Sequence, residues 1–434
     1  MTFPRYPQYK ESNVDWIGEV PIHWGIERFK VSINTCRNGI WGNEATGDKD
    51  DIPCVRVTDF DRTKLEVKGE IPTIRNVTEK EQANRTLSKG NLLIEKSGGG
   101  ENQPVGCVVL YNREDKAVCS NFVAKIELAP NMDPSYWRYV HSAAYGIRLT
   151  IGSINQTSGI QNLDQDRYFN ERTAYPPLNE QIAIAKFIED EVAKIDTLVD
   201  EQEKLIRLLK EKKQAVISNA VTKGLDLKIK MKDSGVAWLG EIPKHWEIKK
   251  IKWCLKLRNE KTQERSNTIA LENIEGWTGR FINTESEFEG DGVKFNEGDV
   301  LFGKLRPYLA KVFRATMSGE AIGDFFVLEP NQNLLSEFAE RLLICSEFID
   351  AINSSTYGTK MPRVSWEYFS TMSIPLPPRS EQLQISNYLE SAIKEMDDLI
   401  AKSNHAVALL QERRTALISA AVTGQIDVRN SYGN

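Results

Sequence analysis

The sequence predicts an α+β chain built as two tandem copies of one unit, each a strand-rich α/β domain followed by a long helix. The two helices are expected to pack antiparallel as a coiled coil, giving a pseudo-two-fold internal repeat. Two observations carry this. Residues 11–30 (ESNVDWIGEVPIHWGIERFK) recur at 233–252 (DSGVAWLGEIPKHWEIKKIK), so that Trp16, Gly18, Glu19, Pro21, His23 and Trp24 match Trp238, Gly240, Glu241, Pro243, His245 and Trp246 at an offset of 222. A second block repeats at an offset of 201: Pro176, Pro177, Glu180, Gln181 and Glu189 match Pro377, Pro378, Glu381, Gln382 and Glu390, and the match runs without a gap to Thr222 and Thr423. The offsets differ by 21, so the first interior is longer, and the two interiors are also unlike in sequence. A shared frame around divergent interiors implies that the frame does one job twice while the interiors do two different jobs. The expected boundaries are a first domain at 1–175, a first helix at 176–226, a second domain at 227–376, a second helix at 377–427 and a tail at 428–434.

Within the interiors, residues 55–57, 92–96 and 106–111 are short β-type runs separated by Gly, Asn and Asp, and 268–274, 299–305 and 324–330 have the same texture, with a helical stretch near 336–353. After Pro177 the pattern changes. Ile188, Val192, Ile195, Val199, Gln202, Ile206, Leu209, Lys213, Val216 and Ala220 alternate in steps of four and three. Leu389, Ile393, Met396, Ile400, Ser403, Val407, Leu410, Arg414, Leu417 and Ala421 repeat the seam in phase, polar breaks included. Asn179 and Ser380 behind the proline pairs are natural starts, and Gly224 and Gly424 natural stops. At about 1.5 Å per residue such a seam makes a rod of about 50 Å, with a variable domain expected at each end.

Composition narrows the function. The 434 residues carry 56 Lys and Arg against 61 Asp and Glu, a net charge of -5, so any polyanion site has to be local. The six cysteines form no C-x-x-C pair and the four histidines lack metal-ligand spacing, so no metal site is expected. No apolar run is long enough for a signal peptide or a membrane span, which predicts a cytoplasmic chain with reduced thiols.

Catalytic signatures fail one by one. Gly298-x4-Gly303-Lys304 is followed by Leu305 where a P-loop needs Ser or Thr for Mg²⁺. Tyr175-Pro176-Pro177-Leu178 lacks the Asp or Asn and the aromatic of an amine-methylating tetrapeptide. Asp61, Glu66 and Lys68 suit a solvated surface better than a nuclease centre. The chain reads as a binder.

Residues 244–265 hold eight cations against three carboxylates, a run suited to phosphates, or equally to a solvated face. In the second interior Arg258, Lys261, Lys304, Arg306, Tyr308, Lys311, Lys360 and Arg363 are candidate DNA contacts; in the first, Arg37, Asn38, Ser97, Asn102, Gln103, Asn155, Gln156, Gln161 and Asn162. Arg and Lys suit phosphates and guanine, Asn and Gln pair with adenine, and Gly98, Gly99 and Gly100 allow close backbone approach. The repeated tryptophans are expected in a core or on a partner surface, since a reader of sequence would not repeat in halves whose interiors differ.

WIGEVPIHW and WLGEIPKHW opening each half, with PPLNEQ and PPRSEQ opening each long helix, resemble the specificity subunit of type I restriction-modification systems over nearly the whole chain. The resemblance implies two target recognition domains, each reading one half of a bipartite site in double-stranded DNA, joined by two antiparallel conserved helices. It further implies a chain without cofactor or catalysis of its own, docking two modification subunits that use S-adenosylmethionine, and restriction subunits that use ATP and Mg²⁺ to translocate and cleave. SGIQNL at 158–163 and GTKMPRV at 358–364 resemble the loops preceding a helix in such domains. Three other readings stay open: a related system whose partner fuses nuclease and methyltransferase, a coiled-coil scaffold that reads no DNA, and an enzyme with a dispersed active site.

Overall fold

A proline cannot continue a helix backwards but starts one well, and each proline pair is followed directly by a long helix: α1 (Leu178–Lys223) and α2 (Arg379–Val422). The computed structural model describes residues 3–157, 159–226, 228–262, 267–284, 291–356 and 361–429. The 46 residues of α1 span about 70 Å at about 1.5 Å each. Both helices stop at glycines in the left-handed region, Gly224 with φ +76° and Gly424 with φ +77°. A side chain at 424 would also meet Pro21 Cδ at 2.4 Å, so glycine is required there twice over.

The chain divides into two compact units, one of two segments, Met1–Glu201 with Ala406–Asn434, and one contiguous, Gln202–His405. Each unit therefore holds one strand-rich domain and half of each long helix, and the architecture is mixed α+β as the sequence predicts. In the first unit Ile188, Val192 and Ile195 share a core with Leu417, Ile418 and Ala421. In the second, Ile217 and Val221 share one with Ile385, Leu389 and Ile393. The early part of one helix thus packs with the late part of the other, which is the antiparallel arrangement. Seam positions Ile188, Val192, Ile195, Leu209, Leu389, Ile393 and Met396 are buried, while Val199, Ile206, Ile400, Val407 and Leu410 are half-buried. Two helices alone cover only part of a seam side chain.

The polar breaks in the seam have partners that repeat as they do. Lys213 Nζ lies 2.8 Å from Asp397 Oδ1, and Arg414 Nε lies 3.1 Å from Asp196 Oδ1. Both pairs are matched at the offset of 201. Each pair also holds its own domain, Arg280 donating to Asp397 Oδ2 at 2.7 Å and Arg414 donating to the Thr63 carbonyl.

The Trp-rich motif belongs to the core and braces the helix start. Trp24 and Trp246 are fully buried, and Trp16 and Trp238 donate their indole N–H to the carbonyls of Arg172 and Ser373. His23 and Trp24 bond the buried Glu180 carboxylate at 2.6 and 3.0 Å, and His245 bonds Glu381 at 2.8 Å. The neighbouring glutamines close the frame. Gln181 Nε2 donates to the Pro176 carbonyl while its Oε1 accepts from Asp133 N, and Gln382 does the same with Pro377 and Leu335. In the first unit both chain ends join the frame: Tyr6 donates to Glu180, Asp427 N to the Pro4 carbonyl, and Arg429 lies over the Tyr6 ring.

Beneath their unlike sequences the interiors each hold a sheet of the same strand order. In the first unit β1 (Ile33–Asn38), β2 (Asn91–Glu95), β3 (Val108–Tyr111) and β4 (Val123–Leu128) stand in the order β1-β4-β2-β3, extended by two short strands. The hairpin β5 (Ile154–Thr157) and β6 (Ile160–Leu163) follows, and the second unit repeats the sheet order: β7 (Leu255–Arg258), β8 (Val300–Gly303), β9 (Val312–Arg314) and β10 (Phe325–Pro330) stand as β7-β10-β8-β9.

Four local expectations change. Val55 ends a strand, but 57–59 form a 3₁₀ turn, as do 271–273 inside the expected run 268–274. The helical stretch splits into Ser336–Leu343 and Ser346–Asn353 where Cys345 turns extended. The helix Pro134–Gly146 was not expected, although Asp133 caps it and Pro134 opens it, because five aromatic or β-branched residues hid its period.

Replacing Asp397 by Ala leaves Lys213 charged in a nearly closed site, and is expected to destabilise the protein by about 3 kcal/mol in chemical denaturation. The double change Lys213→Leu with Asp397→Leu should recover most of that loss.

Candidate nucleic-acid interface

A residue that directly follows a strand stands where the chain leaves the sheet, and β2 and β8 are each followed by a lysine. Residues 90–96 (GNLLIEK) and 298–304 (GDVLFGK) match at an offset of 208, placing Lys96 and Lys304 at one structural position. The backbone around them is bonded in the same way. Lys96 N donates to the Phe122 carbonyl and its own carbonyl accepts from Leu163 N at 2.8 Å; Lys304 N donates to the Asp324 carbonyl and its carbonyl accepts from Val364 N at 3.1 Å. Three segments therefore converge on one lysine in each domain. The segment carrying Leu163 or Val364 leads into a short helix, capped by Asp164 or Ser365.

In the first domain this junction gathers amides and hydroxyls. Ser97 Oγ donates to Asn162 Oδ1 at 2.7 Å, and both line a depression of about 270 Å³ with Asn38 and Lys96. Asn155 and Gln156 lie on β5 opposite Asn162 and Gln161 on β6, and Asn155, Gln156 and Asn162 are exposed. Gln161 is buried and points inward, its Oε1 accepting from Val105 N at 3.2 Å. Gly99 is required beside it, since a Cβ would meet Val105 N at 2.8 Å and Gln161 Oε1 at 2.9 Å. Asn102 and Gln103 line a separate cavity of about 600 Å³ with Arg62 and Glu95, and Arg37 is exposed opposite Lys125.

In the second domain the junction gathers cations. Asp324 lies between Arg363 Nη2 at 2.8 Å and Lys304 Nζ at 3.8 Å, and Arg306 N donates to the Pro362 carbonyl. Tyr308 is exposed in the turn beyond Arg306, while Lys311 donates inward to the Leu271 carbonyl at 2.6 Å. Arg258 is held by Asp299 at 2.7 Å and Glu329 at 3.0 Å and lines another cavity, of about 410 Å³. Lys261 stands 3.7 Å from Asp291. The cationic run at 244–265 is dispersed over a strand, a 3₁₀ turn and a second strand. Lys360 lies outside the described residues, as do Arg265, Ser158, Gly358 and Thr359.

Sequence reasoning missed Lys96, which the offset of 208 would have revealed. It also missed a cleft of about 430 Å³ lined by Trp41, Arg56, Glu95, Asn121 and Phe122, whose members are too scattered in sequence to form a motif. Arg75 stacks over Trp41 at 4.6 Å, and the Glu95 carboxyl, bonded to Arg62 at 2.7 Å, is pushed up by burial. The doubtful catalytic residues separate: Asp61 accepts turn amides, Glu66 pairs with Arg138, and Lys68 donates to the Thr58 carbonyl. Among the described residues no group of three or more His, Cys, Asp or Glu could hold a metal.

The two kinds of first-domain amide should separate experimentally. Gln161→Ala strands the buried Val105 N–H and is expected to cost about 1–3 kcal/mol, with faster hydrogen exchange at Val105. Asn155→Ala and Gln156→Ala, at exposed positions, should stay within about 0.5 kcal/mol of the parent.

Comparison with known proteins bears on this geometry. The family described as the type I restriction modification DNA specificity domain matches residues 243–408. The type I restriction enzyme EcoDI specificity subunit of Escherichia coli is 24% identical over 277 residues, 58% of this chain and 62% of that subunit, so the chain spans less than two thirds of that relative in the match. The EcoKI specificity subunit of Escherichia coli is 23% identical over 94% of this chain and 90% of its own length. A chain from a solved structure concerned with complex assembly and conformational transition of the type I R-M system shares the fold, with a TM-score of 0.69, 14% identity and coverage of 93% of this chain and 98% of that one. The chain thus carries a match to the family's domain in its second half and is similar to type I restriction enzyme specificity subunits along nearly all its length.

Proposed function

We propose that this chain selects the DNA site of a type I restriction-modification complex, with one half of a bipartite sequence read by each strand-rich domain. The observation that carries the reading is the paired junction. One backbone scaffold holds Lys96 among Ser97, Asn162 and Asn38 in one domain, and Lys304 beside Arg306 and Arg363 in the other. A common framework carrying different hydrogen-bonding groups is what two half-sites of different sequence demand.

The same duplication suits two identical partners. Exposed apolar residues on the long helices recur at the offset of 201: Ile182 and Leu383, Leu198 and Leu399, Leu208 and Leu409. Each pair is about equally exposed, at 51% and 52%, 44% and 48%, and 48% and 51%. Each unit thereby offers an equivalent apolar surface to one modification subunit. Methyl transfer from S-adenosylmethionine, and ATP- and Mg²⁺-dependent translocation and cleavage, then fall to the modification and restriction subunits, which also supply phosphate-neutralising charge that a chain of net charge -5 lacks. No helix among the described residues is long and apolar enough to cross a membrane.

Methylation mapping by long-read sequencing tests this in a host expressing the chain with its neighbouring modification gene. A split adenine motif that disappears when this chain is deleted is the expected result. Normal expression without a dependent motif would favour the scaffold reading, which also predicts binding insensitive to salt.

A further inference from the structure

The four positions that meet at each junction can be compared pair by pair. Lys96, Gly98, Phe122 and Asn162 in the first domain correspond to Lys304, Arg306, Asp324 and Arg363 in the second. The lysine is kept, whereas an amide is replaced by a guanidinium and an aromatic ring by a carboxylate. The last two exchanges are coupled, because Asp324 Oδ2 accepts from Arg363 Nη2 at 2.8 Å.

Resting on the DNA-reading function above, we propose that Arg363 is the guanine reader of the second half-site and that Asp324 is its positioning residue. Three features carry the assignment. Arg363 is exposed, and among the described residues Asp324 is its one hydrogen-bond partner, so four of its five N–H donors remain free. Its backbone is fixed by the bridge to Leu305 and by the bond from Arg306 N to the Pro362 carbonyl, and the carboxylate fixes the fork, so little side-chain freedom is left to lose on binding. The carboxylate also selects the kind of ligand. Asp324 offsets the charge on Arg363 that a phosphate would seek and leaves a hydrogen-bonding fork suited to a neutral base edge, while Lys304, 3.8 Å from the same carboxylate, keeps the charge a phosphate contact needs. Among bases, guanine alone offers two acceptors, O6 and N7, to a two-pronged donor; adenine and cytosine present an amino donor that the guanidinium would oppose.

The test uses the complex of this chain with its modification subunit and duplexes carrying its mapped motif, in which each base pair of the second half-site is replaced in turn and binding is measured by competition. The parent complex should show one G·C pair whose replacement weakens binding about 10-fold or more. With Arg363→Ala that replacement should cost less than about 2-fold, while penalties at every other position of both half-sites persist. Arg363→Lys keeps the charge and loses the fork; it should show the same relaxation and serves if the alanine variant does not assemble. Asp324→Asn should weaken the preference at the same pair and no other. Penalties unchanged at all positions, an affected pair that is A·T, or a uniform loss without change in preference, as for a phosphate contact, would overturn the assignment. A parent complex with no motif would instead sink the DNA-reading function itself.

Discussion

The rest of the structure depends on how a carboxylate in the first turn of each long helix, Glu180 or Glu381, is satisfied. Glu180 is 5% exposed, and a charge so placed needs donors. It takes them from His23, Trp24 and Tyr6, all from the segment that precedes the strand-rich domain. Gln181, one residue on, bonds the proline pair that starts the helix and the backbone that starts the helix Pro134–Gly146. Two adjacent side chains thus tie together the opening segment, the end of the domain's sheet and the first turn of α1. Glu381 and Gln382 repeat the device with fewer donors, since Lys228 stands at the position of Tyr6, Trp246 Nε1 has no partner among the described residues, and Glu381 is less deeply buried.

This frame explains why the interiors are free to diverge. Nothing in the tie involves the strand ends at the junctions, and each of the two seam ion pairs reaches its domain through one contact, Arg280 on one side and the Thr63 carbonyl on the other. The sheet order survives because the strands that cover the helix-facing core must stay apolar, while the residues just beyond β2 and β8 answer only to solvent and ligand. The proposed reading of DNA falls where the fold constrains least.

Much of this was legible in the sequence for the same reason. The long helices and their stops followed from a sustained seam, proline pairs and glycines, all local signals. The polar breaks at Lys213 and Arg414 were visible as breaks, but their partners Asp397 and Asp196 lie outside the seam positions, and pairing across helices leaves no periodic mark. At the candidate site Asn38, Ser97 and Asn162 were chosen by residue type and do converge, as do Lys304, Arg306 and Arg363. Gln161 and Lys311 were equally plausible by type, yet they turn inward to backbone groups, a distinction that depends on which face of a strand or turn each occupies. The cleft around Glu95 draws on four separate segments and had no signature to read.

If the frame is common and the interiors alone carry specificity, the interiors are interchangeable. The most direct measurement is the methylation motif made by a chimera in which residues 30–170 are replaced by residues 252–371, joined where Phe29 N meets the Glu171 carbonyl and where Ile251 N meets the Met372 carbonyl. The graft brings Arg280 to Asp196, the counterpart of Asp397, so its grip on the helices is retained. The account predicts a motif in which the second half-site appears twice, as an inverted repeat at the original spacing. A chimera that assembles with its modification subunit and still directs methylation to the original first half-site would contradict it.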